Sequence, residues 1–387
     1  MLIKKMFLIF SFLISSFNLQ AMIVEENFFR VAPYTLKHPN GSLLLSFQTN
    51  SDVEMSLEED GIDKKYSSFK NQVQYKIELS KVSCGKAVEI KLIEKETRNT
   101  VYQNIISAIP CDSFKTNQAF VFGFISDTQQ FKERHEQIAK TIAFHHTVEP
   151  LQFLINGGDI VQNGFVESEW INYFLGGKLY LNDIPQIAAI GNHDYRGAHG
   201  DLIPKYFNQY LRWPGADIYG NLFFDFKEVQ LLILNSNFSR LDHDAETFTW
   251  NWIEEKLALA AKINKPIIIA THFPVYSSSL NRFTTLSIMK MRSKLVPLVE
   301  KYRPAIVLSG HTHMYERSLK NGINYLVAGP AGGKANHPTF SNKYKTFMDA
   351  DALTFTKLKL LQNVLTIETY NQDNLLIDQL ALDLNKR

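Results

Sequence analysis

The rhythm of apolar and polar positions changes twice along this chain. From residue 22 to about 115, apolar and polar residues alternate over short runs. Ser42-Leu43-Leu44-Leu45-Ser46-Phe47, Val53-Glu54-Met55-Ser56-Leu57, Val73-Gln74-Tyr75-Lys76-Ile77 and Ala87 to Ile93 all read this way. A period of two is what a half-buried strand presents, because successive side chains point to opposite faces. Turn signals at Pro39-Asn40-Gly41 and Asp60-Gly61 separate the runs. Several short strands with no helical stretch between them predict a small all-β sandwich over 22–115.

After Asp112 the apolar runs become continuous: Phe120 to Ile125, Leu151 to Ile155, Ile187 to Ile190, Leu231 to Leu234, Ile267 to Ala270 and Ala305 to Leu308. Such runs suit strands buried on both faces. Helical spacing lies between them. Ile138, Ala139, Ile142 and Ala143 share one face, and further helical patterns cover Trp250 to Ala261 and Leu286 to Tyr302. Pro297 interrupts the last and is expected to start a new turn or kink it. Strands alternating with helices predict an α/β region over 116–387. Strand-like runs return after Val327, at Leu353 to Leu361 and Val364 to Tyr370.

The first residues follow a different logic. Lys4 and Lys5 precede the apolar run Met6 to Phe17, which closes on Leu19-Gln20-Ala21. A basic start, a short apolar stretch and a small residue at the cut form the layout of a signal peptide over 1–21. The run is shorter than the ~20 residues a spanning helix needs. The expectation is an exported chain, periplasmic or secreted, with no stable membrane insertion of the mature protein. Cys84 and Cys111 both lie in the N-terminal region, where an oxidising compartment would let them close a disulfide. Two free buried thiols are the alternative.

At 387 residues the chain is long enough for two domains, and a net charge of +2 without a basic run argues against nucleic acid as partner.

The chemistry lies in five polar clusters, each following an apolar run: Ser126-Asp127-Thr128-Gln129, Gly158-Asp159, Gly191-Asn192-His193-Asp194, Thr271-His272 and Gly310-His311-Thr312-His313. Loops at the carboxyl edge of a sheet are where α/β folds bind ligands, so the clusters can converge there. A lone Gly-Asp also suits a turn or a helix N-cap. Asp159 is nonetheless the candidate to bridge two ions, one through each carboxylate oxygen. Asn192 offers a neutral carbonyl ligand. His193, hydrogen-bonded to a carboxylate such as Asp194, is placed as a general acid. Imidazoles at 272, 311 and 313 suit Zn, Fe and Mn alike.

In this order the motifs resemble the calcineurin-type metallophosphoesterase superfamily. That family's pattern is Asp-x-His, Gly-Asp, Gly-Asn-His-Asp/Glu, a lone His after a strand, and Gly-His-x-His. The chain is similar within it to the purple acid phosphatase branch. Gly310-His311-Thr312-His313 continues into Met314-Tyr315-Glu316-Arg317, His272 continues into Phe273-Pro274-Val275-Tyr276-Ser277, and a β-rich region comes first. Two positions depart. Gln162 stands where that branch carries its iron-binding Tyr, and Gln129 where the wider superfamily carries His.

The resemblance implies a four-layer αββα domain preceded by a fibronectin-III-like sandwich. It implies two metal ions, with Asp127, Asp159, His313 and Gln129 at one position and Asp159, Asn192, His272 and His311 at the other. A water or hydroxide bridging the ions would attack phosphorus while His193 protonates the departing oxygen. Asn192, His193 and Arg282 would contact the phosphoester. Without the Tyr, a ferric purple centre is not expected, and Zn, Mn or Fe(II) are the candidates. The implied activity is phosphomonoester hydrolysis. The alternatives are phosphodiester hydrolysis on the same metals and a non-catalytic binding protein.

Overall fold

The computed structural model describes residues 23–24, 27–39, 41–60, 62–66, 74–79, 88–106, 119–197, 202–207, 219–279 and 285–386. The proposed signal segment, Cys84, Cys111 and Arg282 lie outside the described residues.

Two large sheets face each other. One has nine strands in the order Leu376–Asp383, Val364–Asn371, Thr354–Leu361, Phe120–Ile125, Leu154–Asn156, Gln186–Ala188, Phe29–Lys37, Leu43–Thr49 and Gln74–Glu78. The other has seven, in the order Leu222–Asp225, Gln230–Leu234, Ile267–Thr271, Ile306–Ser309, Ile323–Val327, Tyr315–Lys320 and Lys345–Asp349. Alternate side chains of both meet in one apolar core. Phe120, Phe122, Phe124 and Ile155 come from the first sheet, and Ile233, Ile268, Ala270 and Leu308 from the second.

Because the pleat sends neighbouring side chains to opposite faces, the intervening residues must also find cover. Val121, Ile125 and Leu154 pack on the helices Lys132–Val148 and Glu167–Gly176. Leu232, Leu234, Ile267 and Ile269 pack on the helix His243–Lys262 and on the stretch Leu286–Tyr302. The result is four layers: helices, sheet, sheet, helices. The continuous apolar runs are explained by this double burial. Asp242 caps the helix that starts at His243 by accepting the Ala245 N–H at 2.8 Å. Pro297 sits at the start of Val296–Tyr302, just after a π-helical turn at Met291–Leu295. That turn absorbs the proline's missing donor and ring clash.

The N-terminal region adds a five-stranded sheet ordered Ile23–Val24, Thr100–Ile106, Val88–Glu94, Met55–Glu59 and Ile62–Tyr66. Its apolar face, including Leu57, Ile90, Leu92 and Tyr102, packs on Phe29, Leu45, Phe47 and Ile77. Those last residues belong to strands that are also part of the nine-stranded sheet. Gln186 pairs in parallel with Leu36, so the sheet runs unbroken from the N-terminal region into the α/β region. The opposite faces of these strands, with Val31, Tyr34, Leu36 and Leu44, join the helix-covered core. The boundary near residue 115 therefore separates the chain by sequence, while one sheet spans both sides of it. No helix among the described residues is long and apolar enough to cross a membrane.

Strands Phe120–Ile125, Leu154–Asn156 and Gln186–Ala188 run parallel, as do Ile267–Thr271 and Ile306–Ser309. Their carboxyl ends deliver all five polar clusters to one rim.

Candidate metal centre

Sharp turns bring the polar side chains together as soon as each strand ends. Asp127, Asp159, His311 and His313 all take the left-handed backbone region, with φ of 56°, 52°, 72° and 50°. Non-glycine residues adopt it at a cost of order 1–3 kcal/mol each, and such strain gathers where function demands a fixed geometry. Glycines let the loops close on these residues. A Cβ at Gly191 would lie 2.0 Å from the Asp159 nitrogen, and one at Gly310 would lie 2.6 Å from Asp127 Oδ2.

Two groups of ligand-type atoms result, and Asp159 belongs to both. Asp159, His272 and His311 form one group; Asp127, Asp159 and His313 form the other, all of them buried. In the first, His272 Nε2 lies 3.3 Å from Asp159 Oδ1, 3.1 Å from Asn192 Oδ1 and 3.2 Å from His311 Nδ1. In the second, His313 Nε2 lies 3.4 Å from Asp127 Oδ1. Gln129 Nε2 sits 3.0 Å from His313 Nε2 and 3.4 Å from Asp159 Oδ2.

Main-chain carbonyls orient three of the histidines. Nδ1 of His272 meets Gly157 O at 3.0 Å, Nδ1 of His193 meets Gln162 O at 2.9 Å, and Nδ1 of His313 meets Lys334 O at 2.7 Å. A carbonyl only accepts, so Nδ1 carries the proton and Nε2 of a neutral ring turns a lone pair toward the rim. His272 thus aims a lone pair at a carboxylate oxygen and an amide oxygen. Electron-rich atoms at such distances repel unless a proton or a cation lies among them. This donor set of carboxylates, imidazoles and a neutral amide fits divalent metal ions. Exchanging the two ends of the Gln129 amide would likewise turn its Oε1, which is buried and has no hydrogen-bond partner, toward Asp159 and His313.

The electrostatics agree. Burial opposes charge on both His272 and Asp159, yet each outweighs that penalty for the other. With Asp127 and Asp194 also nearby, His272 is raised to about 9, and Asp159 is held well below the ordinary carboxylate range. In a metal-free cluster a proton on His272 takes the place of a cation.

The site corrects one expected pairing. Asp194 does not orient the His193 ring. Its Oδ2 accepts the N–H groups of Asp159 and Gly191 at 3.0 and 2.8 Å, and its Oδ1 those of Ile160 and Val161 at 2.9 and 3.2 Å. Asp194 therefore holds two loops together, and the Gln162 carbonyl takes the role expected of it beside His193. The His193 backbone N–H donates to Asp159 Oδ1 at 2.8 Å, and its Nε2 stands 3.9 Å from Asp159 Oδ2. Burial lowers the His193 pKa; Asp159 and the Gln162 carbonyl oppose that only in part. Gln162, at the position of the missing Tyr, leaves its Oε1 buried without a hydrogen-bond partner.

The carbonyls of Gly157, Gln162 and Lys334 carry no residue-type signal, since every residue has one. His135 and His145 are buried structurally, bonded to the Tyr180 hydroxyl and the Asn374 side chain.

A model of the Calcineurin-like phosphoesterase family matches residues 120–315 of this chain. Purple acid phosphatase 23 of Arabidopsis thaliana is 25% identical over 149 residues, which is 37% of this chain and 31% of that protein. An acid phosphatase of Aspergillus ficuum is 31% identical over 87 residues, 22% of this chain and 14% of its own length. The chain thus spans about a third or less of these curated relatives. Among solved structures, a purple acid phosphatase from yellow lupin (Lupinus luteus) seeds superposes with a TM-score of 0.73 at 16% identity. That superposition covers 91% of this chain and 74% of the lupin protein. By the family match across half of its length, the chain belongs to the calcineurin-like phosphoesterase family and falls on the side of the purple acid phosphatases.

Proposed function

We propose that this protein is an exported, dinuclear-metal phosphomonoesterase of acid-phosphatase type. The observation that carries the reading is the sharing of Asp159 between two buried ligand groups, which is how a carboxylate holds a metal pair. The Zn, Mn or Fe ions expected there would polarise the phosphoryl oxygens and lower the pKa of the attacking water. Asp127, Gln129, Asp159 and His313 would hold one ion; Asp159, Asn192, His272 and His311 the other.

The residues of the chain do the rest. The Asn192 amide and the His193 ring, placed at the rim, bind the phosphoryl group. The oxygen of water forms a bond to phosphorus as the bond from phosphorus to the ester oxygen breaks. His193, pinned at Nδ1 by Gln162, delivers the proton from Nε2 to that leaving oxygen, so the products are orthophosphate and an alcohol. Its lowered pKa restricts the protonated form to acidic solution, which supports an acid enzyme. Asp194 acts only through the loops it binds. Arg282 remains a candidate phosphate contact.

Residues 22–115 are the fibronectin-III-like part of this reading and residues 116–387 the catalytic part, with residues 1–21 directing export.

The test is elemental analysis of the purified full chain, paired with rates on a mono-aryl and a bis-aryl phosphate. Two ions per chain with faster mono-aryl hydrolysis support the proposal. Faster bis-aryl hydrolysis assigns a phosphodiesterase, and a metal-free inactive protein assigns a binding role.

A further inference from the structure

A sixth polar cluster, Asn235-Ser236-Asn237, directly follows the strand Gln230–Leu234, which runs parallel to Ile267–Thr271 and so ends at the same rim. All three residues are buried, and none belongs to either group of ligand atoms. Buried polar side chains are costly unless hydrogen bonds satisfy them, so the partners they find show what the cluster does.

Those partners lie beside two ligands of one ion. Asn237 Nδ2 donates to the carbonyl of Ile190 at 2.9 Å, two residues before Asn192. Ser236 Oγ accepts the N–H of Phe273 at 3.0 Å, one residue after His272. Asn235 secures the turn itself. Its Oδ1 accepts the backbone N–H and the Nδ2 of Asn237 at 3.3 and 2.9 Å, and its Nδ2 donates to the Tyr195 hydroxyl at 2.9 Å and the Tyr219 carbonyl at 2.7 Å. Nδ2 of Asn237 thus faces two acceptors, which fixes the orientation of that amide.

Asn192 and His272 come from different layers. Asn192 follows a strand of the nine-stranded sheet and His272 a strand of the seven-stranded one, yet Asn192 Oδ1 and His272 Nε2 stand 3.1 Å apart. Two adjacent residues of one turn hold both loops, so that turn sets the spacing across the sheets. Among the described residues, no hydrogen bond of the cluster reaches the turns that carry Asp127, Gln129 or His313.

We propose that Ser236 and Asn237 are positioning residues that hold Asn192 against His272, and that they act on the ion of that pair and not on the ion of Asp127 and His313. The proposal rests on the dinuclear reading given above and adds two residues outside the ligand set to one of its positions.

The test measures Zn²⁺ affinity of the full chain by competition with a chromogenic chelator. Single-ion backgrounds separate the positions: Asp127→Ala leaves the ion of Asn192 and His272, and Asn192→Ala leaves the other. Ser236→Ala and Asn237→Ala are placed in each. In the Asp127→Ala background both should weaken Zn²⁺ binding by about tenfold or more, the usual scale for partners just outside a metal's ligands. In the Asn192→Ala background neither should change it. Should Asn237→Ala fail to fold, the smaller change Ser236→Ala decides alone. A merely structural role would weaken binding alike in both backgrounds, and that result overturns the assignment, as does unchanged binding in the Asp127→Ala background. Wild-type protein that binds no Zn²⁺ brings down the dinuclear reading itself, and this assignment with it.

Discussion

The Asp194 carboxylate accepts the backbone N–H of Asp159 at 3.0 Å, so one buried acid sets the position of the other. The same carboxylate also takes the N–H groups of Ile160, Val161 and Gly191, which ties the loop after Leu154–Asn156 to the loop after Gln186–Ala188. These two loops carry Asp159, Asn192 and His193. Their relative placement, and hence the shape of the centre, depends on four hydrogen bonds to one side chain.

Asp194→Asn tests this directly. An amide has one acceptor oxygen, and its NH2 would face two N–H donors that a carboxylate oxygen accepts. Leaving buried donors unsatisfied costs about 1–3 kcal/mol each. We expect a melting temperature several degrees lower and weaker metal retention, read by calorimetry and elemental analysis. Wild-type stability with full metal content would show that the loops are held by other means.

His193→Ala should keep its metals and lose about two to four orders of magnitude in turnover, the usual scale for general acid catalysis. The pH profile is the sharper readout. Because the acid form is needed and burial lowers the pKa, wild-type turnover should fall as pH rises through a value below 6.5. That limb should vanish in the variant. A variant with wild-type turnover on alkyl phosphates would remove His193 from the mechanism.

Metal removal exposes a proton in place of the cations. In metal-free protein the His272 pKa is raised from 6.5 to about 9, burial being outweighed by Asp159 and its hydrogen bond. A group whose folded pKa lies above its unfolded value stabilises the fold below the unfolded pKa and loses that contribution as pH rises through the folded one. Chelator-treated protein should therefore lose stability between about pH 6.5 and pH 9, by something on the order of 3 kcal/mol. His272→Gln should flatten the slope, as urea melts at several pH values would report. An equal slope in that variant would locate the titration elsewhere.

Gln129→Ala should lower the metal content from two ions per chain toward one, since the amide is the neutral donor beside Asp159 and His313. Gln162→Ala, in contrast, should leave both ions in place, because Gln162 belongs to neither group of ligand atoms. Elemental analysis separates the two cases.

Much of the centre was legible from sequence because each ligand follows a continuous apolar run. A run such as Ile267 to Ala270 must be buried on both faces, and a polar residue placed just after it has only the sheet rim to occupy. Asp127, Asp159, Asn192, His272, His311 and His313 meet for that reason. The expected pairing of His193 with Asp194 fails because a left-handed turn at Gly158 and Asp159, which residue types do not announce, precedes the backbone N–H groups of Ile160 and Val161 that, with that of Asp159, donate to the Asp194 carboxylate. Carbonyls that fix histidine tautomers are equally silent. The shared sheet was not legible: the run Ser42 to Phe47 reads as a half-buried strand, whereas all seven residues of Leu43–Thr49 are buried.

Metal stoichiometry in Asp159→Ala measures the central claim most directly. If Asp159 bridges, purified wild type binds two ions per chain, Asp127→Ala or Asn192→Ala keeps one, and Asp159→Ala holds neither at comparable concentration. An Asp159→Ala protein that folds and still carries two ions would contradict the shared-carboxylate centre.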